Sequence, residues 1–148
     1  MLKSLHPIAG AISFLIILAF WISTVSVELS GSAERIIEVK RAIPWGFLLL
    51  VPALAITGIS GFRIAGRSTD PMVVRKRRRM PLIAGNGLLI LIPAALYLER
   101  LASRGDLGHR FYSVQGVELV AGALNLILIF LNIRDGLRIT GKIDGVKQ

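Results

Sequence analysis

The sequence predicts an all-α integral membrane protein, an up-down bundle of four transmembrane helices with both termini in the cytoplasm. Hydrophobic residues make up 53% of the 148 positions, and the mean hydropathy is +0.66. Four apolar stretches cover roughly residues 8–29, 43–64, 81–98 and 114–133. Each approaches the ~20 residues that a helix needs to cross a bilayer. Short connections between such helices favour antiparallel neighbours in a single domain, residues 1–148.

The distribution of lysine and arginine predicts the orientation. Twelve of the 18 basic residues lie in the N-terminal tail, the second connection and the C-terminal tail, and six lie in the first and third connections. Lys and Arg in short connections favour the cytoplasmic side. We therefore expect a multi-pass protein of the inner (cytoplasmic) cell membrane with both ends inside.

The first apolar stretch is expected to remain as a span, because it is longer than the 7–15 residues of a signal-peptide core. The connection that follows it, residues 33–42, alternates in charge and carries Ile36, Ile37 and Val39. This pattern is typical of a short interfacial helix lying on the membrane surface.

Small residues recur every four positions along the second span, at Ala53, Thr57, Gly61 and Ala65. Such spacing lets helix backbones approach closely in lipid, where no hydrophobic force drives association. We predict a packing face here, used for self-association or for a protein partner.

A basic run precedes the third span, with Arg75, Lys76, Arg77, Arg78 and Arg79. Its first expected role is to hold this connection on the cytoplasmic side. Its second expected role is to bind anionic headgroups of the cytoplasmic leaflet, and its third is to dock on an acidic patch of a protein partner. A nucleic-acid partner is not expected, because no aromatic platform for bases lies nearby.

The fourth span carries a polar stripe. Glu118, Asn125 and Asn132 are spaced by sevens and Gln115 precedes Glu118 by three, so all four share one helix face. Asn86 on the third span is expected to join them. In lipid these groups must turn towards the bundle interior.

Two interpretations of the stripe stay open. In one, the side chains only hydrogen-bond between helices, and Glu118 pairs with Arg41, Arg100 or Tyr97 near the outer surface. In the other, they line a small polar cavity for a cofactor, a quinone headgroup or a proton path, because a carboxylate within a membrane is a functional candidate by default.

The two histidines, His6 and His109, are predicted on opposite sides of the membrane, so they cannot ligate one haem or metal together. His6 and Met80 begin two spans on the same side, and an imidazole and a thioether are an axial pair for haem b. Arg78 and Arg79 would then contact the propionates. Alternatively, His6 is only a boundary residue at the headgroups, and Met80 is only an apolar residue entering the membrane.

In size and hydropathy the chain resembles the small four-helix, quinone-linked b-type cytochromes. Those proteins depend on paired histidines within their helices, which this chain lacks, so the resemblance does not establish membership. The absence of cysteine excludes thiolate metal sites. No catalytic motif or carboxylate pair predicts an enzyme, and no metal site is predicted.

Three functions follow from these patterns. The first is a non-catalytic accessory or oligomeric membrane subunit. The alternative is a membrane electron-transfer protein that binds a b-type haem or a quinone. A second alternative is a small proton-coupled transporter or channel unit that uses Glu118.

Overall fold

Helices account for nearly all of the protein that the structure describes. This structure, a computed structural model, describes residues 2–66, 68–139 and 141, so most of the predicted C-terminal tail lies outside it. No strand occurs among the described residues. The elements in chain order are α1 (Leu2–Ser30), α2 (Ala33–Ala65), α3 (Pro71–Asn86), a π-helical turn (Gly87–Leu91), α4 (Ile92–Ser103) and α5 (His109–Ile139).

Four helical stretches are long and apolar enough to cross a membrane. They cover Leu5–Ser30, Ala33–Ala65, Pro71–Ser103 and His109–Ile139. The third combines α3, the π-helical turn and α4 into one continuous rod. The predicted all-helical architecture with four apolar helices of membrane-spanning length is therefore confirmed.

The turn between α1 and α2 forces these helices to run antiparallel. Gly31 has φ +64°, a left-handed conformation that glycine adopts without a Cβ penalty, and its N–H donates to the Glu28 carbonyl. Ser32 then caps α2 by accepting a hydrogen bond from the Arg35 N–H. Two residues thus reverse the chain.

The second connection ends at a strong helix start. The Asp70 carboxylate accepts hydrogen bonds from the N–H groups of Met72 at 2.7 Å and Val73 at 3.3 Å. Pro71 at the first helical position needs no donor of its own. The helix therefore begins ten residues before the apolar stretch, and the basic run lies on α3.

The π-helical turn has an identifiable cause in Pro93. A proline in an α-helix lacks its N–H and its ring clashes with the carbonyl four residues earlier, which here is that of Leu89. The wider turn relieves this contact, and the Ile92 N–H donates to the Gly87 carbonyl five residues back. Such turns are frequent at functional sites.

Residues 33–42, predicted as a separate interfacial helix, are instead the first turns of α2. Nothing breaks the helix between Ala33 and Ile43. Ile36, Lys40 and Ile43 recur at helical spacing and are all buried, so this segment packs into the bundle rather than lying flat on a surface.

The bundle has two ends, defined here by their connections. The turn end holds the α1–α2 turn and the α4–α5 connection, and the terminal end holds the start of α1, the α2–α3 connection and the end of α5. The most deeply buried apolar cluster lies at the turn end and comprises Ile36, Leu98, Leu101, Ala102 and Phe111. A second cluster, between α1, α2 and α5, comprises Ile17, Leu50 and Ile129.

Candidate functional site

A cavity of about 1010 Å³ lies inside the bundle between the two helical hairpins. Every helical element contributes to its wall, and the lining is mainly apolar. The lining also includes three residues that are each more than half exposed, Ile59, Phe62 and Leu88. The cavity therefore opens sideways between α2 and the continuous helix formed by α3, the π-helical turn and α4. A ligand could therefore enter from the apolar surroundings of the bundle.

His6 lies at the terminal end of this cavity with its ring orientation fixed. Its Nδ1 is 3.1 Å from the Thr57 carbonyl oxygen and 3.1 Å from Ser60 Oγ. A carbonyl oxygen only accepts, so the bond to Thr57 requires the proton on Nδ1. The neutral ring then carries its free lone pair on Nε2, the arrangement typical of a histidine that binds a metal.

Met80 lies beside His6 at a glycine of α2. A Cβ placed at Gly61 would be 2.8 Å from Met80 Cε and 2.9 Å from His6 Cε1. Both side chains line the cavity. The structure thus brings together the imidazole and the thioether that the sequence proposes as axial ligands.

The two arginines proposed for the propionates lie elsewhere. Arg79 Nη1 donates to Asp135 Oδ2 at 2.8 Å and to Asn132 Oδ1 at 3.5 Å, and Arg78 is exposed. Arg79 is held there because Asp135, 3% exposed on α5, needs a cation to remain charged when buried. Among the described lysines and arginines, Lys76 lines the cavity.

The basic run therefore divides around α3. Arg75 and Arg78 are exposed and free to face a headgroup layer, and the half-buried Arg77 donates to the Gly66 carbonyl. Lys76 and Arg79 turn towards α5. The helical period of 3.6 residues imposes this division, which a list of consecutive charges does not reveal. Lipid binding by the run stays a prediction.

The polar stripe of α5 faces the interior, as its spacing indicates. Gln115, Asn125 and Asn132 are buried, and the side chain of Glu118 is 13% exposed. Asn86 on α3 donates to the Ala121 carbonyl at 2.8 Å. A ligand-binding role for these residues stays a prediction.

Glu118 pairs with Lys40 rather than with Arg41, Arg100 or Tyr97. Lys40 Nζ donates to Glu118 Oε2 and, at 3.4 Å, to Thr24 Oγ1. Lys40 is 1% exposed. Lys40 belongs to the predicted first connection, but its spacing from Ile36 and Ile43 puts it on the apolar face of α2.

Further polar groups surround this buried pair. Gln115 Nε2 donates to Glu118 Oε2 at 2.9 Å. Glu28 Oε1 and Gln115 Oε1 are buried and have no hydrogen-bond partner among the described residues. A cluster of charged and polar side chains therefore borders the turn end of the cavity, and two of its members, Glu118 and Thr24, line the cavity.

The small face of α2 is occupied within the chain. Ala53 and Gly61 are buried, the Cβ position of Gly10 on α1 lies 3.6 Å from Thr57, and Gly61 faces His6 and Met80. Small residues thus admit α1 and α3 close to α2. Use of the same face for self-association or for a protein partner stays a prediction.

Comparisons with protein-family models, with curated proteins and with solved structures found no match for this chain.

Proposed function

We propose that the chain is a multi-pass protein of the inner membrane with both termini in the cytoplasm. Apolar side chains cover the outside of the bundle, including Leu15, Leu48, Leu89 and Val120, each at least 60% exposed. The buried polar side chains Gln115 and Asn125 turn inward. Such a surface suits lipid. The excess of Lys and Arg at the terminal end supports the orientation.

Reporter fusions test this orientation. We expect a fluorescent protein fused after Gln148 to fluoresce in the cell and alkaline phosphatase at the same place to be inactive, because both termini face the cytoplasm. Phosphatase inserted between Gly31 and Ser32 should be active, since this turn lies at the opposite end. Active phosphatase after Gln148 would contradict the orientation.

We further infer that the protein binds a b-type haem in the cavity. The observation that carries this proposal is the placement of His6, whose Nδ1–H is anchored on the Thr57 carbonyl while its ring adjoins Met80. A ligating histidine usually donates its other ring N–H to a carbonyl or carboxylate oxygen, which fixes the tautomer. Histidine and methionine together favour a haem that exchanges single electrons.

The cavity suits a ligand of this size and character. Its volume of about 1010 Å³ reaches the upper end of the range for ligand pockets, roughly 300–1,000 Å³. Apolar walls match the macrocycle, and Lys76 supplies a cation for the carboxylates of the propionates. Haem supplies the redox chemistry, and the chain supplies ligands, orientation and exclusion of water.

Substitution of Gly61 by alanine tests the site without removing a ligand. The new Cβ would displace the imidazole of His6 and the thioether of Met80. We therefore expect haem affinity to fall at least tenfold, a loss of binding free energy of ~1.4 kcal/mol. The measurement is titration of the haem-free, detergent-purified protein with haem, followed by absorbance.

Gly85→Ala on α3 is the matched control, because nothing lies within 4 Å of its Cβ position and it does not line the cavity. It should bind haem as the wild type does. Equal affinities of the Gly61 and Gly85 variants would place haem, if bound, away from His6 and Met80.

The other two functions stay predictions. An accessory subunit requires no cavity, and stable co-purification with a larger complex would support it. A proton path through Glu118 must disturb its bond to Lys40, and loss of proton flux into liposomes on Glu118→Gln would support it.

A further inference from the structure

Two buried oxygen atoms near the turn end of the bundle have no hydrogen-bond partner. They are Glu28 Oε1 on α1 and Gln115 Oε1 on α5, and neither accepts a hydrogen bond from any residue that the structure describes. Gln115 is 2% exposed. An acceptor removed from water without a replacement partner costs free energy, and the cost is larger for a charged group. A ligand that satisfies both oxygens would therefore stabilise the folded protein.

The two oxygens belong to side chains at nearly the same level of the bundle. Lys40 Nζ donates to Thr24 Oγ1 and to Glu118 Oε2, so these two acceptors share one level. Glu28 follows Thr24 by four residues, about 6 Å towards the turn end. Gln115 precedes Glu118 by three residues, about 4.5 Å in the same direction, because α5 runs antiparallel to α1. The two helices are in contact.

The amide of Gln115 is oriented by Glu118. A carboxylate only accepts hydrogen bonds, so the bond to Glu118 Oε2 at 2.9 Å requires Nε2 as its donor and leaves Oε1 as the acceptor. Both amide atoms are attached to one carbon, so Oε1 lies beside the same charged side chains. Because Oε1 is buried, it points into the bundle and not towards its surface.

This cluster carries one negative charge in excess. Among the described residues, the charges that act on Glu28 are those of Lys40 and Glu118. Lys40 is paired with Glu118, so their charges balance and the carboxylate of Glu28 is left without a counterion. A buried charge without a counterion is strongly unfavourable. A cation with a single charge would balance the cluster.

The donor atoms suit an alkali-metal ion. Carboxylate and carbonyl oxygens replace the water around hard cations. No group of three or more His, Cys, Asp or Glu side chains that could hold a metal occurs in the described part of the chain, and a divalent ion would reverse the excess charge. Glu28 lies two residues before the end of α1 and is partly exposed, so an ion can enter from water at the turn end.

We propose that this cluster binds an alkali-metal cation, sodium or potassium, between Glu28 Oε1 and Gln115 Oε1. Water molecules complete the coordination on the side of the turn end. The ion joins α1 to α5 beside the pair of Lys40 and Glu118. The site lies at the opposite end of the bundle from His6 and does not depend on haem.

Thermal unfolding of the detergent-purified protein at constant ionic strength tests the proposal. The probes are sodium chloride and potassium chloride, and choline chloride is the reference, because its methylated ammonium cannot be coordinated by oxygen atoms. A ligand that binds only the folded state raises the unfolding temperature as its concentration rises. We expect at least one metal salt to give a saturable rise over choline chloride, roughly 3–6 °C at ten times its dissociation constant.

Glu28→Gln is the decisive variant. It keeps the size of the side chain and removes the charge, so the protein should fold without the ion and lose the response to both metal salts. The matched control is Glu38→Gln, which removes an exposed carboxylate of α2 near the same end of the bundle and should keep the wild-type response. Gln115→Leu removes the second acceptor and should raise the apparent dissociation constant at least tenfold.

Two outcomes would overturn the proposal. Equal unfolding temperatures of the wild type in the sodium, potassium and choline salts would show that a proton or water satisfies the two oxygens. An unchanged response in Glu28→Gln would place the ion elsewhere. The test is separate from that of the haem site, since His6→Ala should lose haem but keep the response to the metal salts.

Discussion

Replacing Lys40 with methionine is expected to lower the free energy of unfolding by about 3–5 kcal/mol, because it leaves the Glu118 carboxylate buried without its cation. Lys40 is 1% exposed and Glu118 13%, so little solvent screens the pair. Methionine matches the length of the lysine stem and keeps the helix. Equilibrium unfolding in mixed micelles measures the change.

Arg41→Met is the matched control for this substitution. Arg41 is the next residue of α2 and is exposed, so its loss should change stability by no more than about 0.5 kcal/mol. The double variant Lys40→Met with Glu118→Leu should recover most of the loss, since an apolar pair replaces the ion pair. A Lys40→Met protein as stable as the Arg41→Met protein would contradict the buried pair.

His6→Ala is expected to abolish haem binding, with complete loss of the Soret band. Alanine removes the imidazole that lies with Met80 at Gly61. The measurement is the visible spectrum of each variant after expression with ample haem. Met80→Leu should retain some haem with an altered spectrum, since the imidazole remains.

His109→Ala is the control for His6→Ala. His109 is the first residue of α5 at the turn end, is exposed, and its Nδ1 lies 3.1 Å from Ser113 Oγ. This variant should keep the wild-type spectrum. Loss of haem in His109→Ala but not in His6→Ala would reverse the assignment of the site.

The four apolar helices could be predicted from the sequence because a long apolar run shows both that the helix can cross a bilayer and that its surroundings are lipid. The inward direction of Gln115, Asn125 and Asn132 follows from helical spacing, since a polar side chain in an apolar bundle has only one favourable face. The beginning of the chain and its middle meet at His6 and Met80 because antiparallel spans of similar length align their ends.

Individual partners could not be predicted in this way. A run of charges does not reveal that Arg79 meets Asp135 while Arg78 faces outward. The burial of Lys40 does not follow from hydropathy, because a lysine ordinarily marks the end of an apolar stretch, whereas helix α2 continues past it. The volume of the cavity depends on how far the two helical hairpins separate, and so does the lack of a hydrogen-bond partner for Asn125 Oδ1 among the described residues. No local sequence pattern encodes that separation.

We propose that His6 and Met80 hold haem in this cavity, and the visible spectrum of the purified wild-type protein before and after dithionite tests this proposal. We expect a Soret band with α and β bands that sharpen on reduction, at one haem per chain. A flat spectrum in protein expressed with ample haem and then titrated with haem would contradict it.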